Sequence, residues 1–137
     1  LSPNAPQDRP TEVTSRAKAR EIEAAIAPYI EKARQTYPDA KRRYLETLPA
    51  GHRFFAVTRL RDGANREEQV FVAVTGITNG RIFGWIASDI QAVSKFRKGN
   101  SHSFAESELV DWLITRPDGT EEGNLVGKFF DTYQGAR

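Results

Sequence analysis

The apolar positions change period partway along the chain. Between Thr14 and Tyr37 the residues Ile22, Ile26, Ile30, Ala33 and Tyr37 recur at steps of four, four, three and four, with Glu21, Glu23, Glu31, Lys32 and Arg34 off the stripe. That spacing is one face of an amphipathic helix, and Thr14 or Ser15 is suited to cap its start. Pro28 lies inside the run and, lacking an N–H, is expected to kink the helix or divide it. Pro38-Asp39 is expected to end it, with 40–48 a further short helix whose Arg42-Arg43 pair faces solvent.

After Pro49-Ala50-Gly51 the period drops to two. His52 to Leu60 is rich in aromatic and β-branched residues and ends at Asp62-Gly63, which predicts a strand and a turn. Gln69 to Ile77 predicts a second strand, joined through Asn79-Gly80 to a third from Arg81 to Ala87, and Asn-Gly between apolar strands is a strong hairpin signal. In the third strand Ile82, Gly84 and Ile86 share one face while Phe83 and Trp85 share the other, so burial on both faces is expected. Gly84 suits sharp coiling or a close backbone approach. A short strand at Phe104, a fifth from Val110 to Thr115 and a last from Leu125 to Phe130 complete the pattern. The expected fold is α+β: a kinked N-terminal helix packed on a strongly curled antiparallel sheet of five to six strands, small and open-barrel-like.

Composition narrows the function classes. A chain of 137 residues fits one domain, read here as residues 14–137 behind a polar tether at 1–13. The tether carries three Pro within its first ten residues and has no hydrophobic period. Such a segment commonly follows a removed signal peptide or a lipid anchor, so a periplasmic or secreted protein is expected, with a cytoplasmic one as the alternative. No apolar run approaches the roughly 18–20 residues of a membrane helix. With no Cys there is no disulfide, thiolate metal site or Cys nucleophile. Residues 1–48 carry a net +2, 49–100 a net +4 and 101–137 a net −4. A basic middle packed beside an acidic end partly cancels its own field, which argues against nucleic acid as the main ligand.

Candidate chemistry is sparse. Asp111 stands in an otherwise apolar strand, where backbone N–H groups from a neighbouring turn would hold its carboxylate; an acid, a base or a contact to a basic partner is the functional alternative. One exposed Trp of Trp85 and Trp112 would serve as a binding anchor. Ser101-His102-Ser103 with Glu106 and Glu108 behind it offers an imidazole and carboxylates, but neighbours on a strand point to opposite faces, so adjacency assembles no catalytic set. Two His in the whole chain give no zinc-type spacing. His52 is expected to pack at the mouth of the first strand. Arg59, Arg61 and Arg66 border the first hairpin, and Lys95, Arg97 and Lys98 form a later turn. They read as solvated hairpin tips or as a polar rim around an aromatic centre.

Several of these runs resemble one family. Leu48-Pro-Ala-Gly51 leading into His52-Arg-Phe-Phe-Ala-Val57, Gly80-Arg-Ile-Phe-Gly-Trp-Ile-Ala87, Phe96-Arg-Lys-Gly99 and Glu108-Leu-Val-Asp-Trp112, with Asp118-Gly119 and Glu122-Gly-Asn124 at the close, are similar to the bacterial YegJ-like domain of unknown function. The resemblance runs from Leu45 to Phe129, and Ala33-Arg34 before Tyr37-Pro38 looks like the family's entry helix. Asn100 stands where relatives often have an acidic residue after the turn Gly, which argues against a metal or acid role there, and Phe71 stands where many have Trp. The resemblance implies an α+β domain with a curled sheet, often in exported proteins, and implies no reaction.

Together these readings point to a non-catalytic binding module of an exported bacterial protein, with a protein partner ahead of a small ligand. An accessory or inhibitor role of the immunity type fits, with no cofactor and no metal expected. Arg59, Arg61, Trp85, Lys95, Arg97, Lys98, Asp111 and Trp112 are the expected contacts. The alternatives are a cell-wall, polyanion or small-ligand binder, or a hydrolase using His102 with Glu106 or Asp111.

Overall fold

A computed structural model describes the backbone of residues 4–135 and the side chains of residues 17–132. Helix α1 (Asn4–Glu46) is followed by β1 (Arg53–Arg61), β2 (Glu67–Thr78), β3 (Arg81–Ile86), β4 (Ser101–Ala105), β5 (Asp111–Thr115), β6 (Glu121–Gly123) and helix α2 (Leu125–Gly135). The strands form one antiparallel sheet in the order β4-β3-β2-β1-β5-β6. The α+β arrangement expected from the sequence is present, with an open sheet rather than a closed barrel. No helix among the described residues is long and apolar enough to cross a membrane.

Chain length enforces the curl. Only residues 106–110 join β4 to β5, although β3, β2 and β1 lie between them in the sheet. Laid flat, four inter-strand steps span about 19 Å, close to the limit of about 21 Å for six fully extended residues. A 3-10 turn at Glu106–Glu108 shortens that reach further. The sheet therefore bends to bring β4 toward β1. Side chains pin the connector where it crosses. Thr58 Oγ1 donates to Glu108 O at 3.0 Å, Arg34 Nε donates to Leu109 O at 2.9 Å, and Glu106 accepts from Tyr37 Oη at 2.5 Å and pairs with Lys41 at 2.8 Å.

The sheet has a core on each face. On the inner face Phe54, Leu60, Val72, Ile82, Ile86, Trp112 and Ile114 pack with Ala33, Tyr37 and Ala40 of α1. On the outer face Val57, Val110 and Leu113 pack with Ile26 of α1 and Val126 of α2. One helix serves both, its earlier turns outside and its later turns inside.

Several expectations need correction. The helix starts at Asn4 rather than at Thr14 or Ser15, and it is not divided at Pro28 or ended at Pro38. Both prolines are exposed, as are Ala24 and Arg34, whose carbonyls lose their helical donors, so water can satisfy them. Packing on either side, at Ile26, Ala33, Tyr37 and Ala40, holds the helix together. Of the expected tether, 1–3 and the side chains of 4–13 lie outside the described residues; its backbone from Asn4 runs into α1. Leu125 to Phe130 is helix, not strand, and β6 is the preceding Glu121–Gly123. Gly123 and Asn124 both take positive φ, 82° and 55°, which turns the chain out of the ladder before α2 begins. Arg43 does not face solvent with Arg42, but reaches back to Glu122 at 2.6 Å. Finally, β3 is buried on its inner face alone. Gly84 does allow the expected backbone approach: a Cβ there would fall on the Ala73 carbonyl.

Candidate functional site

The eight expected contact residues do not form one surface. Trp112 is buried on the inner face, stacked near Phe54, and its indole N–H donates to Thr36 Oγ1 at 3.1 Å. Asp111 is fully buried on the outer face beneath α2. Its Oδ2 accepts the Val126 N–H at 2.8 Å and its Oδ1 accepts the Trp112 N–H at 2.8 Å. Burial pushes its carboxyl above the usual range, while those N–H groups pull the other way. Asp111 is thus the anchor of the α2 N-terminus, and neither it nor Trp112 is accessible to a partner. Arg59 pairs with Glu23 at 3.0 Å, Arg61 with Glu67 at 2.7 Å and Lys98 with Asp89 at 3.7 Å.

Lys95, Arg97 and Lys98 belong to the 87–100 loop between β3 and β4, which two carboxylates hold. Asp62, its side chain wholly covered, accepts the Ser94 N–H at 2.8 Å, the Ala64 and Arg66 N–H groups at 3.0 Å and Arg66 Nε at 2.9 Å. Glu68 accepts three successive N–H groups, from Gln91, Ala92 and Val93. Both carboxyls are held below their usual range, with backbone donors the first cause, Ser94 for Asp62 and Ala92 for Glu68. The basic turn is presented on a loop fixed by its own backbone.

Trp85 alone of the eight leads to an apolar surface. Strand alternation puts Phe83 and Trp85 on the outer face of β3 and Phe71 and Ala73 on that of β2. A bulge between Val74 and Gly76 resets the register, turning Ile77 inward and leaving Phe83 outward opposite Gly76. Phe71, Phe83 and Trp85 remain 38%, 39% and 40% exposed because α2 covers only the β1–β5 side of that face. Three large aromatics on adjacent strands make a patch, where scattered single exposures would need no explanation.

Beside this patch the sheet splits. Pairing of β1 with β2 ends at Phe55↔Ala73. Beyond it, Arg53 and Phe54 pair only with β5, and the end of β2 pairs only with β3. The parted ends enclose a cleft of about 730 Å³, walled by Tyr44 and Leu45 in the last turn of α1, by Leu48 after it, by Phe54 and Phe55, by Ala73, Val74 and Ile77, and by Trp85. Thr47, His52, Arg53 and Thr75 supply its polar groups. Thr47 takes φ 145°, a strained value for a β-branched residue.

The groups of the hydrolase alternative are dispersed. His102 sits on β4 between Phe96 and Phe104, with its pKa lowered first by burial. Glu106 is engaged by Tyr37 and Lys41 at the connector, and Asp111 lies under α2. Among the described residues no group of three His, Cys, Asp or Glu is placed to hold a metal. Against known family models, curated proteins and solved structures, the chain has no match.

Phe71, Phe83 and the cleft residues Tyr44, Leu45, Thr47 and Leu48 were missed as site residues. The doubly apolar pattern of β3 carried the signal, but it reads equally as a strand covered on both sides.

Proposed function

We propose that this protein is a non-catalytic binding module that takes a protein partner on the uncovered, aromatic half of its outer sheet face. The observation that carries the reading is the patch of Phe71, Phe83 and Trp85 on two adjacent strands. Aromatic side chains of this kind supply most of the energy at interface centres, at about 2 kcal/mol or more each when fully covered. The 87–100 loop starts beside Phe71, where Ser88 Oγ accepts the Phe71 N–H at 2.8 Å, and in this reading its Lys95, Arg97 and Lys98 supply the basic rim. An exported protein is what the YegJ-like resemblance suggests, and an accessory or immunity-type inhibitor role suits a compact module whose candidate catalytic groups are dispersed.

The test is quantitative affinity capture from an extract of the source organism, comparing wild type with the Phe71→Ser, Phe83→Ser, Trp85→Ser variant. One stoichiometric protein recovered by the wild type and lost from a variant of unchanged melting temperature is the expected result. Equal recovery by both would place the interface elsewhere. Weak dependence on salt is expected for an aromatic-centred interface, whereas a polyanion ligand would dissociate steeply as salt rises.

A further inference from the structure

The cleft between the parted ends of β1 and β2 differs in chemistry from the aromatic patch beside it. Its volume of about 730 Å³ lies within the range of small-molecule sites, about 300–1,000 Å³. Its walls are apolar through Leu48, Phe54 and Ile77, and no Asp or Glu lines it. Its single formal charge is Arg53, at the exposed first position of β1. Arg42, Arg43, Arg59, Arg61, Arg66 and Arg116 each hold a carboxylate. Arg53, like Arg20, Arg34, Arg81 and Arg97, holds none among the described residues, and of these five it alone lines the cleft.

A cation without a carboxylate partner, at the mouth of a cleft that combines apolar walls with neutral polar groups and has no acidic ones, is complementary to one kind of ligand. We propose that the cleft binds a small amphipathic carboxylate, its apolar body between Leu48, Phe54 and Ile77 and its carboxylate at Arg53. The guanidinium presents a planar donor fork matched to a carboxylate. Apolar burial supplies the affinity and Arg53 the orientation. Ala73, the small residue between Phe55 and Trp85 in the cross-strand row, opens the cleft toward the outer face. The strained backbone of Thr47 at the lip is consistent with a site, because such strain concentrates where ligands are held.

Dodecanoate below its micellar concentration, titrated into the full chain and followed by calorimetry and by Trp emission in the Trp112→Phe background, where Trp85 is the sole emitter, tests the proposal. Binding is expected to saturate at one per chain. Thr75→Trp, which fills the cleft from an exposed position, abolishes it; Ala73→Phe fills it from the outer side and does the same should Thr75→Trp disturb the bulge. Arg53→Gln weakens dodecanoate by roughly two- to fivefold, the range of an exposed ion pair, and leaves the weaker binding of uncharged dodecanol unchanged. Absence of saturable binding, or binding that survives both filling variants, overturns the site. Dodecanol binding as tightly as dodecanoate, with Arg53→Gln without effect, overturns the carboxylate. Phe71→Ser and Phe83→Ser lie outside the cleft and leave this titration unchanged, so its failure and the failure of the partner-binding reading are separable.

Discussion

One cross-strand row on the outer face runs Leu113, Phe55, Ala73, Trp85, and its two ends have opposite fates. Leu113 is 4% exposed beneath α2, and Trp85 is 40% exposed on the same face of the same sheet. The side chains are comparably apolar, so composition does not separate core from surface here. What separates them is the reach of α2, which docks over β5 and β1 through Val126 and is anchored there by Asp111. One half of the face is closed by the chain itself, and the other is left for something else to cover.

The covered side carries the larger stability cost. Leu113→Ala is expected to cost about 2–5 kcal/mol of stability in urea unfolding, because it leaves a cavity between the sheet and α2. Trp85→Ala, although it removes more atoms, is expected to cost about 1 kcal/mol or less, because its ring is already partly in water. Equal losses would mean that the two halves are not distinct.

Asp111→Ala comes next. It leaves the buried Val126 N–H without an acceptor, at a cost of about 1–3 kcal/mol, and frees α2 to expose Leu113. Asp111→Asn costs less, because its carbonyl still accepts one bond and a buried charge is removed. Thermal melts of the two variants check the order.

Acid acts on the carboxylates of the 87–100 loop and on Asp111 with opposite sign. Asp62 and Glu68 have folded-state pKa values below their unfolded ones. The stability they contribute is present above the unfolded values, about 3.9 and 4.3, and is lost as pH falls through the folded ones. Asp111 is raised, so its contribution is fullest below its unfolded value and declines as pH rises through its folded value. On acidification below about pH 4, the Gln91, Ala92 and Val93 amides should lose exchange protection before the Val126 amide does. Loss in the reverse order would contradict the assignment of the two anchors.

The smallest expected stability change belongs to the patch itself. Phe71→Ser and Phe83→Ser should each shift stability by about 0.5 kcal/mol or less, while each weakens a captured partner by about 2 kcal/mol, near thirtyfold.

Much of this fold was legible from period alone. The helical stripe, the Asn79-Gly80 hairpin and the alternation of β1 to β3 each follow from local residue choice. Helix α2 was not, because Leu125, Val126, Phe129 and Phe130 form a short apolar run that suits either period; the deciding group, Asp111, is remote in sequence. The continuity of α1 was obscured by Pro28 and Pro38, whose cost depends on which side of the helix faces water. The site was legible only in part. The two Trp residues look alike in sequence; alternation puts Trp112 on the inner face and Trp85 on the outer one, and strand order leaves Trp85 beyond the reach of α2. The cleft was invisible, since it arises where β1 and β2 stop pairing with each other while each keeps its other neighbour.

Carbene footprinting of the chain alone and in its captured complex reads out which half of the outer face a partner covers. Phe71, Phe83 and Trp85 should label strongly in the free protein and become protected in the complex, with Leu113 unlabelled in both. A complex that protects the Lys95–Lys98 turn or α1 while those three rings stay fully labelled would contradict the account.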